Sequence, residues 1–307
     1  MRHGDAGHPL PAGMAAGQPK MTGSGRGDSM PRIAFQGEIG AYGHEACRLT
    51  RPDHEPLPCP SFEEAIAAVR EGRADLGMIA VENSTYGRVA DVHQLLPESG
   101  LWIVDEAFLR VRINLLGVPG ARLEDIRRVR AMAILLGQAR GFLRRHRLAV
   151  LPWSDNAAAA REVARLGDPA EGALASEVAA EAYGLSVLAR GIEDHAGNTT
   201  RFLVMAREAD WSRRGALGMM TALVFRVRNI PAALYKAMGG FATNGVNMTK
   251  LESYMVDGRF AATQFYAEVE GHPEDPPVAR ALEELRYFSD HVRLLGVFPA
   301  ARLRHEG

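Results

Sequence analysis

The sequence predicts an α/β protein in two parts, and three observations carry that prediction. Short apolar runs alternate with helical patterns from Arg32 to about Met205, residues 206–218 (AREADWSRRGALG) interrupt the alternation, and the remainder reads β-α-β-β-α-β. Alternating strands and helices imply largely parallel pairing with ligands beyond the carboxyl ends of the strands. The second order is the ferredoxin-like arrangement, a small two-layer module.

Arg32–Phe35 reads as the first strand. Ser61-Phe-Glu-Glu64 is a capping box that opens a helix with Ala65, Ile66 and Val69 on one face, and Gly72 supplies its stop. Leu76–Val81 is continuously apolar, as a strand buried on both faces must be. Arg110–Val118 predicts a strand, Leu136–His146 a helix and Ala149–Trp153 another strand. Asp155 caps a helix over Ala157–Leu166 that ends at Gly167, and Gly172–Ala175 and Phe202–Met205 complete the strands of the first part. Beyond the linker, Ala222–Val227 is a strand and Pro231 stands in the first turn of a helix over Ala232–Phe241. Gly239, Gly240, Asn244 and Gly245 make a turn-rich break, and Asn247–Met255 and Arg259–Val269 pair as a hairpin through Asp257-Gly258. A helix over Pro277–Phe288 turns Ala281, Leu282 and Leu285 inward, and Val292–Phe298 closes the sheet.

Residues 1–30 are crowded with Gly, Pro and Ser and show no apolar periodicity, nor the apolar stretch of a secretory signal. They predict a disordered extension, with Met30 as an alternative start. The domain boundaries are therefore 1–30 for the tail, 31–207 for a first α/β region, 208–218 for the linker and 219–304 for the second module.

A length of 307 residues suits two domains, and 36 Lys+Arg against 37 Asp+Glu give a net charge of −1. That balance argues against nucleic acid or a polybasic membrane surface as partner. Nothing approaches the roughly 18–20 apolar residues of a membrane helix. Cys47 and Cys59 are too few for a disulfide framework or a four-thiolate zinc site, which favours a reduced, cytoplasmic setting.

Three polar clusters adjoin strand ends. Phe35-Gln-Gly-Glu-Ile-Gly-Ala-Tyr42 follows a strand with two glycines, and the amides around Gln36 and Gly37 suit an anion, as an ordinary tight turn also would look. Val81-Glu-Asn-Ser-Thr-Tyr-Gly-Arg88 leaves a buried strand with Asn83 able to donate and accept, the Ser84 and Thr85 hydroxyls, and the Arg88 fork. Asn198-Thr-Thr-Arg-Phe202 sets the Thr199 and Thr200 hydroxyls beside the Arg201 guanidinium, a compact donor set for an anionic oxygen. Nucleophile-elbow, P-loop, zinc-protease and dinucleotide fingerprints are all missing, and His44, His54 and His93 have no spacing that requires a metal.

Taken together, IAFQGEIGAY (33–42), SFEEAIAAVREGRADLGMIAVENSTYGRV (61–89), LLGQARGFL (135–143), YGLSVLARGIEDHAGNTTRF (183–202) and NIPAALYKAMGGFATNGVNMTKLESYM (229–255) resemble bacterial prephenate dehydratases with a C-terminal ACT regulatory domain. The resemblance spans about Arg32 to Arg302. It implies a periplasmic-binding-protein-like catalytic region of two lobes with the active site in the cleft between them, followed by the ferredoxin-like ACT module. It implies the conversion of prephenate to phenylpyruvate, carbon dioxide and water, without metal or redox cofactor. By motif, Thr200, Asn83 and Gln138 carry over as catalytic residues. Thr200 would donate a hydrogen bond to the departing hydroxyl, and Asn83 and Gln138 would orient the ring. Arg201 either supports a carboxylate or is structural; Gln36, Gly37, Ser84, Thr199 and Phe202 complete the expected substrate contacts. Four positions depart from the pattern: Gly43 and Ala131-Met132 replace a serine and a Ser-His pair, and Ala139 replaces a cysteine.

The same resemblance implies phenylalanine as effector, bound where paired ACT modules of a homodimer or tetramer meet. Pro231 would open the turn at which Ala232, Ala233 and Leu234 present free amides to its carboxylate, Glu252 would face its ammonium, and Asn247 and Ser253 would flank it. Relatives carry glycine at the position of Ala232 and Arg-Pro at Tyr254-Met255. Two alternatives stand beside this reading: an arogenate or dual-specificity dehydratase, and a catalytically silent amino-acid sensor.

Overall fold

Strand β1 (Arg32–Gln36) forms where the sequence predicts it, with Ile33, Ala34 and Phe35 fully buried. The computed structural model describes residues 30–228, 230–255 and 262–305, so the Asp257-Gly258 turn and residues 1–29 lie outside the described residues. After β1 come α1 (Tyr42–Thr50), β2 (Glu55–Cys59), α2 (Phe62–Arg70), β3 (Leu76–Asn83), the two-residue β4 (Gly87–Arg88), α3 (Ala90–Leu95) and β5 (Trp102–Arg110). The Ser61 hydroxyl accepts from the Glu64 N–H at 3.2 Å, which makes it the cap the sequence calls for.

The chain then crosses into a second lobe: β6 (Asn114–Gly117), β7 (Arg128–Ala131), α4 (Ala133–Gln138), α5 (Arg140–Arg145), β8 (Ala149–Pro152), α6 (Asn156–Leu166), β9 (Glu171–Ala175), α7 (Glu177–Tyr183) and β10 (Ser186–Ala189). It returns to the first lobe as β11 (Thr199–Ala206). The predicted strand over Arg110–Val118 is thus two strands in two different sheets, with Val111–Ile113 as one crossing between lobes. Asp155 caps α6 by accepting from the Ala158 N–H at 2.8 Å, and Gly167 ends that helix at φ 63°.

The C-terminal module is β12 (Met219–Val227), α8 (Ala233–Thr243), β13 (Met248–Met255), β14 (Ala262–Glu270), α9 (Pro276–Phe288) and β15 (Ser289–Pro299), the predicted β-α-β-β-α-β order. Its helices cover one sheet face, where Ala281, Leu282 and Leu285 pack on Leu223, Phe225, Phe265 and Ala267. The other face does not meet solvent. Met220, Ala222, Val224, Tyr266 and Phe298 join Ile103, Leu203 and Met205 of the first lobe in one core.

Two sheets result. The smaller has the order β10-β6-β9-β7-β8 and belongs to the second lobe. The larger runs β13-β14-β12-β15-β5-β11-β3-β1-β2, so the module and the first lobe share one continuous sheet, joined where Gly296 of β15 lies parallel to Ile103 of β5. A methyl at position 296 would overlap the Ile103 carbonyl, so only glycine lets the two edges meet. Pairing is mixed rather than largely parallel. The return strand β11 runs antiparallel to both β3 and β5, because a chain that leaves a lobe and comes back enters it from the opposite end.

Candidate active site

Strands β3 and β11 pair with Thr200 opposite Asn83. Side chains alternate along a strand, so Thr200 and Phe202 line the cleft between the lobes while Arg201 points to the other side of the sheet. The Asn83 amide is fully engaged. Its Oδ1 accepts from the N–H groups of Thr85 (2.9 Å) and Tyr86 (3.2 Å), and its Nδ2 donates to Asn198 Oδ1 (2.6 Å) and Thr200 Oγ1 (3.1 Å). Asn198 in turn donates from Nδ2 to Gln138 Oε1 at 3.0 Å. Thr200, Asn83, Asn198 and Gln138 therefore form one hydrogen-bonded chain from the first lobe to the second. Thr200 Oγ1 is an acceptor in that chain, which leaves its proton free to point into the cleft.

The cleft is a cavity of about 160 Å³, lined by Gln36, Gly40, Tyr42, Gly43, Asp155, Asn156, Ser176 and Thr200, with Phe62, Met78, Met132 and Phe202 as apolar walls. No Lys or Arg is among the described residues that line it. The starts of α1, α6 and α7 all border the cavity, through Tyr42, Asn156 and the N-cap Ser176, but Asp155 and Ser176 cap the latter two and only α1 has no side-chain cap. Ser176 ties the lobes together, donating to the Gly40 carbonyl at 2.7 Å while its oxygen accepts from the Ala179 N–H. Asp155 spends its charge on the α6 amides. Burial pushes the Tyr42 phenol well above its ordinary range, so it stays protonated and donates to the Arg112 carbonyl at 3.0 Å. A wider hollow at the mouth shares Gln36 and Asp155 with the cavity and adds Gly37 and the Glu38–Arg161 pair, 2.8 Å apart.

Of the residues expected from sequence, Thr200, Phe202 and Gln36 line the cavity, Gly37 lines its mouth, and Asn83 and Gln138 stand behind Thr200 as its hydrogen-bonded support. Ser84 and Thr199 do not face the cavity: Ser84 accepts from the Thr199 N–H at 2.9 Å, and both hydroxyls donate to the Gly197 carbonyl. Of the two readings of Arg201, support of a substrate carboxylate and a structural role, the first is corrected: Arg201 is 4% exposed on the opposite sheet face, bonded to Glu106 and Glu268. Gly43 and Met132 do border the cavity, whereas Ala131 and Ala139 are buried in the second lobe's core. Asn198, Tyr42, Asp155, Asn156 and Ser176 went unassigned. Their signal was positional: Asp155 and Ser176 are helix caps, and Asn198 opens the polar run before β11.

In the module, Ala232 adopts a left-handed φ of 61°, no side chain caps α8, and the Ala233 N–H donates to the Ile230 carbonyl at 3.2 Å, closing the turn before the helix. Asn247 donates to Glu270 at 3.1 Å. Glu252 lies 3.7 Å from Arg88 and 3.5 Å from Lys250, and the Ser253 carbonyl accepts from Arg88 at 3.5 Å. The strand expected to bind an effector thus also touches the polar loop after β3.

Two α/β lobes flank a cleft lined by polar helix caps and strand-end side chains, and comparison with known proteins gives the family. The prephenate dehydratase profile matches residues 33–210, and the chain belongs to that family. It is 51% identical over 274 residues to a bifunctional N-acyl-homoserine lactone acylase/prephenate dehydratase of Komagataeibacter europaeus, covering 89% of this chain and 98% of that protein. It is 35% identical over 291 residues to arogenate dehydratase/prephenate dehydratase 1 of Arabidopsis thaliana, covering 90% and 74% respectively. Among solved structures, the fold matches GqqA, described as a novel type of quorum-quenching acylase, at TM-score 0.84 and 51% identity over 89% of this chain and 99% of that one. It also matches the prephenate dehydratase of Arthrobacter aurescens in complex with L-Phe, at TM-score 0.79 and 28% identity over 88% and 92%.

Proposed function

We propose that this chain is a decarboxylating dehydratase that converts prephenate to phenylpyruvate, carbon dioxide and water. One observation carries the proposal: Thr200 Oγ1 accepts from Asn83 and keeps its proton for the cleft. As the ring carboxylate leaves as carbon dioxide, its bonding electrons enter the ring and expel the hydroxyl opposite as hydroxide. A threonine hydroxyl is too weak an acid for full proton transfer, so it stabilises the developing charge by hydrogen bonding. Asn83 and Gln138 hold that hydroxyl through the amide chain rather than touching the ring themselves. The uncapped start of α1 offers amides to the dianion, and the apolar walls favour a neutral product over a charged ring carboxylate.

The second part, residues 219–304, is read as an ACT module that binds phenylalanine at the turn leading into α8, on a cytoplasmic homodimer. The exposed Ile230, Tyr235, Met255 and Tyr287 of the module give it an apolar surface for pairing. The relative solved with L-Phe supports the choice of effector.

The test is incubation of the purified chain with prephenate and, separately, with arogenate, following phenylpyruvate and phenylalanine formation, with and without added phenylalanine. Phenylpyruvate from prephenate is expected, and phenylalanine is expected to slow it; no product from either substrate overturns the reading. A second activity merits the same preparation, because the 51% identical relative is named for two. Release of free homoserine lactone from an N-acyl-homoserine lactone would establish it here.

A further inference from the structure

Thr200 and Asn83 each have a charged neighbour in the chain, and both neighbours reach away from the cleft into the C-terminal module. Arg201 donates from Nε to Glu106 Oε2 at 2.8 Å and from Nη2 to Glu268 Oε2 at 3.0 Å, and its Nη1 lies 2.9 Å from Glu268 Oε1. Glu82 pairs with Lys250. Arg304, just beyond β15, donates to Glu106 Oε1 at 2.7 Å and Oε2 at 2.9 Å and pairs with Glu268 as well. The Tyr266 hydroxyl donates to Glu268 at 2.6 Å and the Ala301 N–H to Glu106 at 2.8 Å. The side chains of Glu106 and Glu268 are wholly buried, so no water stands ready to replace a lost partner. Anchoring one residue of a strand fixes the direction in which its neighbour leaves the other face.

We propose that Glu268, Arg304 and Lys250 of the module are positioning residues of the catalytic centre: by holding Arg201 and Glu82 on the back of β11 and β3, they set the Thr200 hydroxyl and the Asn83 amide on the front. The inference rests on the reading of the cleft given above. The cluster then does more than attach the module, because two of its anchors sit one residue from the two groups that meet the leaving hydroxyl or support it. Small displacements of such groups are costly to rate even when made from a distance.

Full-length E268Q, K250M and K250R are compared with wild type for kcat and KM on prephenate and for thermal midpoint. E171Q is the control: Glu171 is a buried carboxylate paired with Arg128 and Arg130 in the second lobe, away from the cleft. E268Q and K250M are expected to lose about tenfold or more in kcat with KM nearly unchanged. K250R is expected to restore kcat, and E171Q to lose thermal stability without losing kcat. If E268Q does not fold, K250M decides, since Lys250 lies at the rim of the cluster. Folded E268Q or K250M with wild-type kcat overturns the proposal and leaves the cluster as attachment alone. Should wild type not turn over prephenate, the functional reading has failed. Amide hydrogen exchange then decides the positioning role: faster exchange confined to residues 82–88 and 197–203 in K250M supports it, and unchanged exchange overturns it.

Discussion

At Thr200 the chemistry comes down to one proton. Its oxygen is occupied by Asn83, so the remaining donor is directed rather than rotating among partners. Thr200→Val keeps the shape and removes the donor, and turnover is expected to fall about 10²–10³-fold. The thermal midpoint should move little; an unchanged kcat in steady-state assays would take Thr200 out of the mechanism. Ala232 is a second residue with a measurable burden. A left-handed alanine costs about 1–2 kcal/mol, and glycine gives back about 0.4–1 kcal/mol through the freer unfolded chain. Ala232→Gly should therefore stabilise by about 0.5–1 kcal/mol, read as a higher denaturant midpoint at constant slope. Thr200, Asn83 and Gln138 were legible through their motifs. Asn198, which links two of them, was not, because a lone asparagine between Gly197 and Thr199 looks like any turn residue. Arg201 stays open between two readings in the sequence for a simpler reason: adjacency in sequence puts a strand neighbour on the opposite face, and only the far partner, Glu268, shows what it is for.

Among the elements, the helix expected over Leu136–His146 shows where local pattern gives way to tertiary contact. It breaks at Ala139 into α4 and α5. Asp194 makes the break: its N–H donates to the Gln138 carbonyl at 2.7 Å, and its carboxylate accepts from the Gly141 N–H at 3.0 Å. Nothing within the helical stretch announces a partner more than fifty residues away. The break orients Gln138 towards Asn198, and glycine at 141 leaves room for the Asp194 carboxylate, since a methyl there would stand 2.5 Å from Asp194 Oδ1. Gly141→Ala must push that carboxylate off the α5 amides, losing a charge-assisted hydrogen bond of about 1.5 kcal/mol. A lower thermal midpoint together with reduced kcat is expected; reduced midpoint alone would separate the helix break from Gln138. Where elements follow their own sequence, as in α2 with Ser61 or α6 with Asp155 and Gly167, expectation and structure agree to within a residue or two.

Across the whole molecule, the lobes meet through charge as well as through Ser176. Glu45 on α1 faces α7, and its carboxyl is pushed up to about 7, first by burial and then by the Glu177 charge. An acid whose folded value lies above its ordinary 4.5 binds its proton more tightly when folded. Its contribution to stability is therefore present below pH 4.5 and lost as pH rises towards 7. Glu45→Gln should match wild type in thermal midpoint near pH 4, exceed it increasingly between those values, and hold a constant advantage above. A constant difference at every pH would assign the effect to packing.

The junction at Gly296 and Ile103 has a practical corollary for anyone wishing to study the catalytic half in isolation. Cutting the polypeptide after the linker would remove the β15 edge from beside β5 and uncover the apolar core formed there by Ile103, Leu203 and Met205. It would also abandon Arg201 and Glu106 in a desolvated wall with half their counter-charges gone. Such a fragment is built to stick to its own kind, so loss of catalysis on truncation would reflect precipitation before it reflected any lost signal from an effector.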